Sequence, residues 1–396
     1  MVSLLRYFFA VAMPAIFAAG QASGASLPNP LTLHSFCSQS HCMDGAQSWG
    51  GVVRGPDGAY YGITYGGGDP QAQGSPYGPG VVYRITSKGR FSVLHRLDAS
   101  SDGAGAESNL TLGADGNFYG VTGSTAPDDY GHVVRISPTG DFTVVHRFMG
   151  ADNGAGPYGE PVEDAEGNWY GTTLGGGRYA EGTIYKISST GVFQKLHDFT
   201  STDGADPVAA LVLARDGNFY GTTELGGVYN AGTVFRVTPS GTFKTLHDFD
   251  FTEGGFYPVS ALVAGPDGAL YGSTVQGAAG NEFGGTAFRI TLKGQFTSLH
   301  SFGDGVPTSA LTLMPDGNFY GVSINDGLFS QGTIYRISPA GSYSKLYDFP
   351  KPMFGMAPNP HSTLVRGPGN TLFGTTVYGG AQGEGSVFRY APTGSR

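Results

Sequence analysis

Charge is what this chain of 396 residues has least of: Asp, Glu, Lys and Arg together make up 13%. Lys and Arg are scattered one at a time and the formal net charge is −9. No basic stripe exists to neutralise phosphates, so nucleic acid is excluded as an expected partner. An anionic membrane surface is disfavoured for the same reason. No strict three-residue period accompanies the glycines, which excludes collagen. After the N-terminal region no apolar run is long enough to span a bilayer. No nucleophile elbow, zinc-type His-x-x-x-His or phosphate loop occurs, so no cofactor and no dedicated metal site are expected.

What the chain does have is 67 Gly, 22 Tyr and 26 Phe. So many aromatics at so low a charge argue against disorder. Many glycines beside short aromatic and β-branched runs argue for an all-β protein. The N-terminus has the layout of an export signal. Arg6 supplies the positive charge, Tyr7 to Ala19 the apolar core, and "GQASGAS" the small residues for cleavage after Ala22 or Ala25. Residues 1–25 are therefore expected to be a secretory signal peptide, the alternative being a membrane anchor. In an oxidising compartment the only cysteines, Cys37 and Cys42, are expected to form a disulfide. Metal binding by the pair with His41 is the weaker alternative.

One sentence recurs down the chain. Its Tyr/Phe-Gly glycine falls at Gly62, Gly120, Gly171, Gly221, Gly272, Gly321 and Gly374, a period of about fifty residues. In the fourth copy it parses into four strands: a, "ALVLA" from Ala210; b, "FYGTT" from Phe219; c, "TVFRV" from Thr233; and d, "FKTLHDF" from Phe243. Asp-Gly-Asn links a to b and Thr-Pro-Ser-Gly links c to d, both with turn chemistry. Four antiparallel strands per repeat point to a β-propeller, with a β-solenoid as the rival. The last copy stops after its c strand, Ser386 to Tyr390, whereas an orphan d strand, Leu31 to Phe36, opens the mature chain. Residues 26–396 are thus expected to form a single seven-bladed β-propeller of four-stranded blades. The N-terminal strand would close the ring by completing the last blade.

The unit "LYGTT…GTVFRI…G-x-F-x-x-LH-x-F" resembles the GloVer tandem repeat of exported bacterial proteins, the choice-of-anchor tandem repeat group. The resemblance spans nearly the whole mature chain. It implies export and a propeller-like array, and no particular activity. Many members carry a C-terminal anchoring segment; this chain ends at "APTGSR", so a released, secreted protein is expected, and a monomer.

Most repeated residues read as scaffold. His34, His95, His146, His197, His247 and His300 occupy one d-strand position, and a residue used once per blade has no convergent partner for metal chemistry. Alternation sends Phe219 and Tyr220 to opposite faces. The glycine after them is expected to let the next blade approach. Gly50, Ser108, Gly159, Ala209, Ser260, Ser309 and Ser362 precede the a–b turns by seven residues. All are small, as the crowded axis of a ring requires.

Function is expected on the face that carries the variable b–c and d–a loops. The b–c loops bring Tyr77, Tyr130, Tyr179, Tyr229, Phe283 and Phe329; the d–a loops bring Asp44, Asp102, Asp152, Asp203, Asp206, Glu253 and Asp304. Tyr130, Tyr179 and Tyr229 are the candidate stacking residues, Glu160 and Asp203 the candidate polar contacts. The third copy adds Glu163 and Asp164 beside Glu160. The first functional reading is a non-enzymatic binding or scaffold module for an extracellular glycan or protein. The alternative is a polysaccharide-active hydrolase or lyase at the mouth of the channel. A third reading is a lyase resembling the streptogramin-inactivating propellers, which requires a convergent His, Glu and divalent metal. Convergence of two carboxylates or of a non-repeat His (His41, His132 or His361) on the axis would favour an enzyme. A polar channel with an aromatic rim would favour binding.

Overall fold

The structure is a computed structural model. It describes residues 29–69, 71, 78–124, 128–251, 254–277, 284–351 and 358–392. The expected signal peptide, Tyr77, Phe283 and Glu253 lie outside the described residues. Seven antiparallel sheets form a β-propeller, and among the described residues the only helical pieces are two 3-10 turns, Ser40–Cys42 and Pro368–Asn370. No described helix is long and apolar enough to cross a membrane.

In blade four the order across the sheet is a (Val212–Leu213), b (Phe219–Thr223), c (Thr233–Val237) and d (Phe243–Asp248). The b and c strands coincide with the sequence expectation. The a strand is shorter than expected. The chain before it bridges back to the segment after b at Ala205↔Leu225, and between the two Val208, Ala209 and Ala210 run along the axis. The a–b turns are Asx turns: Asp216 Oδ1 accepts from Asn218 N, and its Oδ2 accepts from the Tyr220 hydroxyl at 2.8 Å.

The ring closes as the chain ends imply. Leu31–Ser35 pairs antiparallel with Ser386–Tyr390, from Leu31↔Arg389 to Ser35↔Ser386. The Cys37–Cys42 disulfide follows directly. Closure gives the seventh blade its fourth strand and pairs the otherwise open edge of Ser386–Tyr390.

Two aromatic layers hold the blades together. Strand alternation points the b-strand Phe at one neighbouring blade and the Tyr at the other. Tyr170 therefore stacks on Phe219 of the next blade at 4.0 Å, and Tyr60 on Phe373 across the closing junction at 3.9 Å. Leu270 and Leu372 take the Phe place at two junctions. Farther out, each d-strand His lies flat on the ring that opens the next d strand: His34 on Phe91, His197 on Phe243, His247 on Phe296. Such pairs contribute about 0.5–1.5 kcal/mol beyond their area. Burial holds the His146 imidazole down to about 4. These stacked rings are interface residues, as their periodicity implies.

The repeated b-strand glycine has a different reason from the one expected. It does not admit the neighbouring blade. Gly221 faces Phe235 on its own c strand, and a Cβ there would sit 2.5 Å from that ring. Gly62 faces Tyr83 in the same way. Only glycine lets the c-strand aromatic lie across the sheet.

Candidate functional site

The diverted piece of each a strand builds the axis. Its middle residue is the small one read from the sequence. A Cβ on Gly50 would lie 2.0 Å from the Ser108 carbonyl oxygen, and one on Gly159 would lie 2.4 Å from Ala210 N. Neighbouring backbones meet here, which is why larger side chains are absent. The first threonine of "YGTT" ties this neck to the blade before it: Thr172 Oγ1 donates to Pro207 O or Ala209 O, and Thr375 Oγ1 to Gly50 O across the closing junction.

Above the neck, towards the b–c and d–a loops, the residue preceding each small one lines an axial cavity. Around the ring these are Trp49, Glu107, Tyr158, Val208, Val259, Thr308 and His361. Below it the following residues include Asn109, Glu160, Ala210, Ala261 and Thr363. The cavity measures about 650 Å³, counting its open mouth. Seven-fold symmetry, kept at the neck, is lost in both layers. One arc is aromatic and polar, the opposite arc aliphatic.

The arc is hydrogen-bonded across blades. The Tyr158 hydroxyl donates to Glu107 Oε2. Gly51 N donates to Asn109 Oδ1 at 2.6 Å, and Asn109 Nδ2 to Glu160 Oε1 at 3.0 Å. Trp49 meets His361 edge-on at 5.1 Å and Tyr65 at 6.5 Å. Burial raises the Glu107 carboxyl above its usual range, against the opposing pull of the Tyr158 hydrogen bond. Burial also raises the Tyr158 phenol, and it holds His361 down to about 4, so this imidazole is neutral at physiological pH. Among the described residues no Lys or Arg lines the cavity. The hydroxyls of Thr308 and Ser309 are buried at its wall without a hydrogen-bond partner.

The chain enters this cavity through a repeated left-handed residue, two positions before the upper layer. It is Gln47 (φ 55°), Gly105 (62°), Gly156 (64°), Asp206 (53°), Tyr257 (61°) or Asn359 (47°) according to the blade. Gln47 and Tyr257 have neither the bare backbone of glycine nor the short polar side chain of Asp206 and Asn359 that eases this conformation, so they pay for it with strain, a feature that clusters at binding sites.

Of the residues singled out from sequence, Glu160 lines the cavity. Tyr130, Tyr179 and Tyr229 do not line it; they stand on the b–c loops with 37%, 50% and 54% of their surface exposed. Arg178 lies over the Tyr179 ring at 5.4 Å. Asp203 is half-buried, accepting from Thr200 N at 2.8 Å and from His197 Nε2 at 3.2 Å. Glu163 and Asp164 part from Glu160: Glu163 accepts from Ala114 N, and Asp164 caps its own a–b turn. Trp49, Glu107, Asn109, Tyr158 and His361 were not all visible as a site. Their signal was positional, each being adjacent to a conserved-size neck residue and unlike its counterparts in the other copies. Among the described residues no group of three or more His, Cys, Asp or Glu could hold a metal ion.

Fold and cavity together define a single-ring propeller with an asymmetric axial pocket on its loop face. The Gloeobacter/Verrucomicrobia repeat model matches residues 24–159 and 112–314, and the chain belongs to that family. None of the curated proteins compared with it matches. Among solved structures it is similar to virginiamycin B lyase from Staphylococcus aureus, with 16% identity over 92% of this chain and 98% of that one, at a TM-score of 0.62. A catalytically inactive variant of that lyase with quinupristin gives 15% identity and the same coverage and TM-score. The extracellular domain of a protein classed as a hybrid two-component system, from B. thetaiotaomicron, gives 14% identity over 94% of this chain and 44% of that one, at 0.56. At such identities the likeness is one of fold, which hosts enzymes and binding domains alike.

Proposed function

We propose that this is an exported binding protein whose ligand, a glycan or a group borne on a protein, enters the axial pocket from the b–c/d–a face. The observation that carries the reading is the break in symmetry. The position just before the one that is small in all seven copies carries Trp49, Glu107, Tyr158 and His361 on one arc and Val208 and Val259 on the opposite one. Packing between blades does not require that arc, because the blades are already joined by the Phe/Tyr and His layers. Export is supported by the disulfide and by the expected signal at residues 1–25. The exposed loop tyrosines extend the same face outward, where they can stack on a larger ligand. A glycan array read with the intact protein and with Trp49→Ala tests this. Binding that Trp49→Ala leaves unchanged, or a ligand mapped to the a–b/c–d face, overturns it.

A second reading is favoured by one fact: two carboxylates, Glu107 and Glu160, and the non-repeat His361 all line the axis. A carboxyl held above its usual range is suited to general-acid work, and a neutral imidazole to general-base work. In that reading the protein is a polysaccharide hydrolase or lyase. Turnover of a polysaccharide, lost in both Glu107→Gln and His361→Asn, supports it; turnover retained in both removes it.

A further inference from the structure

The pocket is built from acceptors, neutral donors and aromatic faces. Glu107 and Glu160 supply negative charge, and among the described residues no Lys or Arg on its lining offsets them. An anionic ligand would meet uncompensated carboxylates in a partly desolvated site, so that class is excluded. Trp49 and Tyr158 present rings on the same arc as Glu107. Tyr65 is edge-on to Trp49, and burial, with the Glu107 carboxylate adding to it, raises its phenol. Opposite, Val208 and Val259 form an apolar wall. Between the walls, the Thr308 and Ser309 hydroxyls are buried and lack partners, and Ser309 is only 3% exposed. A carboxylate flanked by aromatic faces is the arrangement that recognises an ammonium group.

We propose that the axial pocket takes an organic ammonium ion, its charge against Glu107 and the faces of Trp49 and Tyr158, its uncharged body against Val208 and Val259. This deepens the axial-binding reading and rests on it. The Thr308 and Ser309 hydroxyls are placed to accept from an N–H, or to bond a hydroxyl on the ligand. His361 is neutral and adds no opposing charge. An arriving cation favours the ionised form of Glu107, so binding releases a proton wherever the empty site holds one.

The chain has two tryptophans, Trp49 at the pocket and Trp169 stacked on Tyr119 between blades. Trp169→Phe is a mild background, since Phe219 and Phe319 fill the same b-strand place in other blades. It leaves Trp49 as the only tryptophan reporter. Two cations are titrated against that fluorescence, choline and glucosamine, each beside its uncharged counterpart, 3,3-dimethylbutan-1-ol and glucose. The expected result is that at least one cation binds about tenfold or more tightly than its counterpart. Which one binds separates a quaternary ammonium group from a primary amine. Glu107→Gln should erase the preference without moving the melting temperature by more than a few degrees. If that variant does not fold, Thr308→Lys, which places a fixed cation in the pocket, should abolish cation binding instead. Equal affinity for charged and uncharged probes sinks the ammonium inference and leaves the axial site standing. Cation binding that survives both substitutions, or no response of Trp49 to either cation, also overturns the inference; the glycan array then decides the axial reading separately.

Discussion

Ring closure depends on the first described strand, and Phe36 at its end is the residue to perturb. Its side chain is fully buried in the closing blade, edge-on to Tyr83 at 5.2 Å, to His34 at 5.4 Å and to Phe91 at 6.1 Å. Phe36→Ala removes that ring from a site bounded by two blades, and substitutions of this kind cost about 3–5 kcal/mol. At ~2.1 cal/mol/K per residue, a chain of this length unfolds with an entropy of ~0.8 kcal/mol/K, so the melting temperature should fall by ~4–6 °C. Phe199→Ala is the internal control, because Phe199 is equally buried in an ordinary blade. Equal losses mean that the closing blade is packed as tightly as the others. Deleting Leu31 to Phe36 goes further, since it also removes the ladder to Ser386–Tyr390 and leaves that strand as an open edge. The truncated protein should melt well below Phe36→Ala, exchange the amides of residues 386–390 readily, and associate as its concentration rises. Calorimetry, light scattering and hydrogen exchange read these three effects. A truncated protein that melts with the intact one and stays monomeric refutes the closure argument.

Replacing Cys37 and Cys42 together with Ser should destabilise by ~2 kcal/mol, the loop-closure value for so short a loop, measured by denaturant unfolding. Gly50→Ala, whose Cβ would meet the Ser108 carbonyl at 2.0 Å, should destabilise by about 1–3 kcal/mol or more, although it adds only a methyl group; a neutral result would show that the neck can open. Burial holds His361 at about 4 against an ordinary 6.5. As pH falls the unfolded chain therefore binds the proton first; stability is unaffected above about 6.5 and declines between about 6.5 and 4. The decline should be up to ~3 kcal/mol from this residue, and His361→Phe should flatten that limb of a pH–stability curve. The triple substitution of Tyr130, Tyr179 and Tyr229 by Ala should change the melting temperature by no more than a few degrees, since the rings are largely exposed. A large drop would show that they pack between blades, and an unchanged glycan-array profile would remove them from the binding face.

The architecture was legible in the sequence because everything that specifies a blade is local. Asp216 caps its own turn, the Phe219–Tyr220 alternation sets two faces, and the strand b and c limits follow from turn residues a few positions away. Repetition in register then multiplies each local signal seven times, and the orphan strand at Leu31 completes the count. The role of Gly221 was misread because its partner, Phe235, comes from the next strand of the same blade, and strand pairing decides which ring covers the bare backbone. The pocket lay beyond local reasoning for a stronger reason. Trp49, Glu107, Tyr158 and His361 are up to 312 residues apart in the chain and differ from one another, so no repeat marks them as a set. Only closure of the ring brings blade seven against blade one. Only the diversion of each a strand turns these side chains towards a common axis, where low solvent exposure moves the Glu107 and His361 protonation equilibria in the directions their burial dictates. The sequence by itself determined the blade, its count and the way the ends meet; the tertiary structure decided which of the non-repeating residues face one another, because proximity across a ring is a property of the closed sheet order and not of any single repeat.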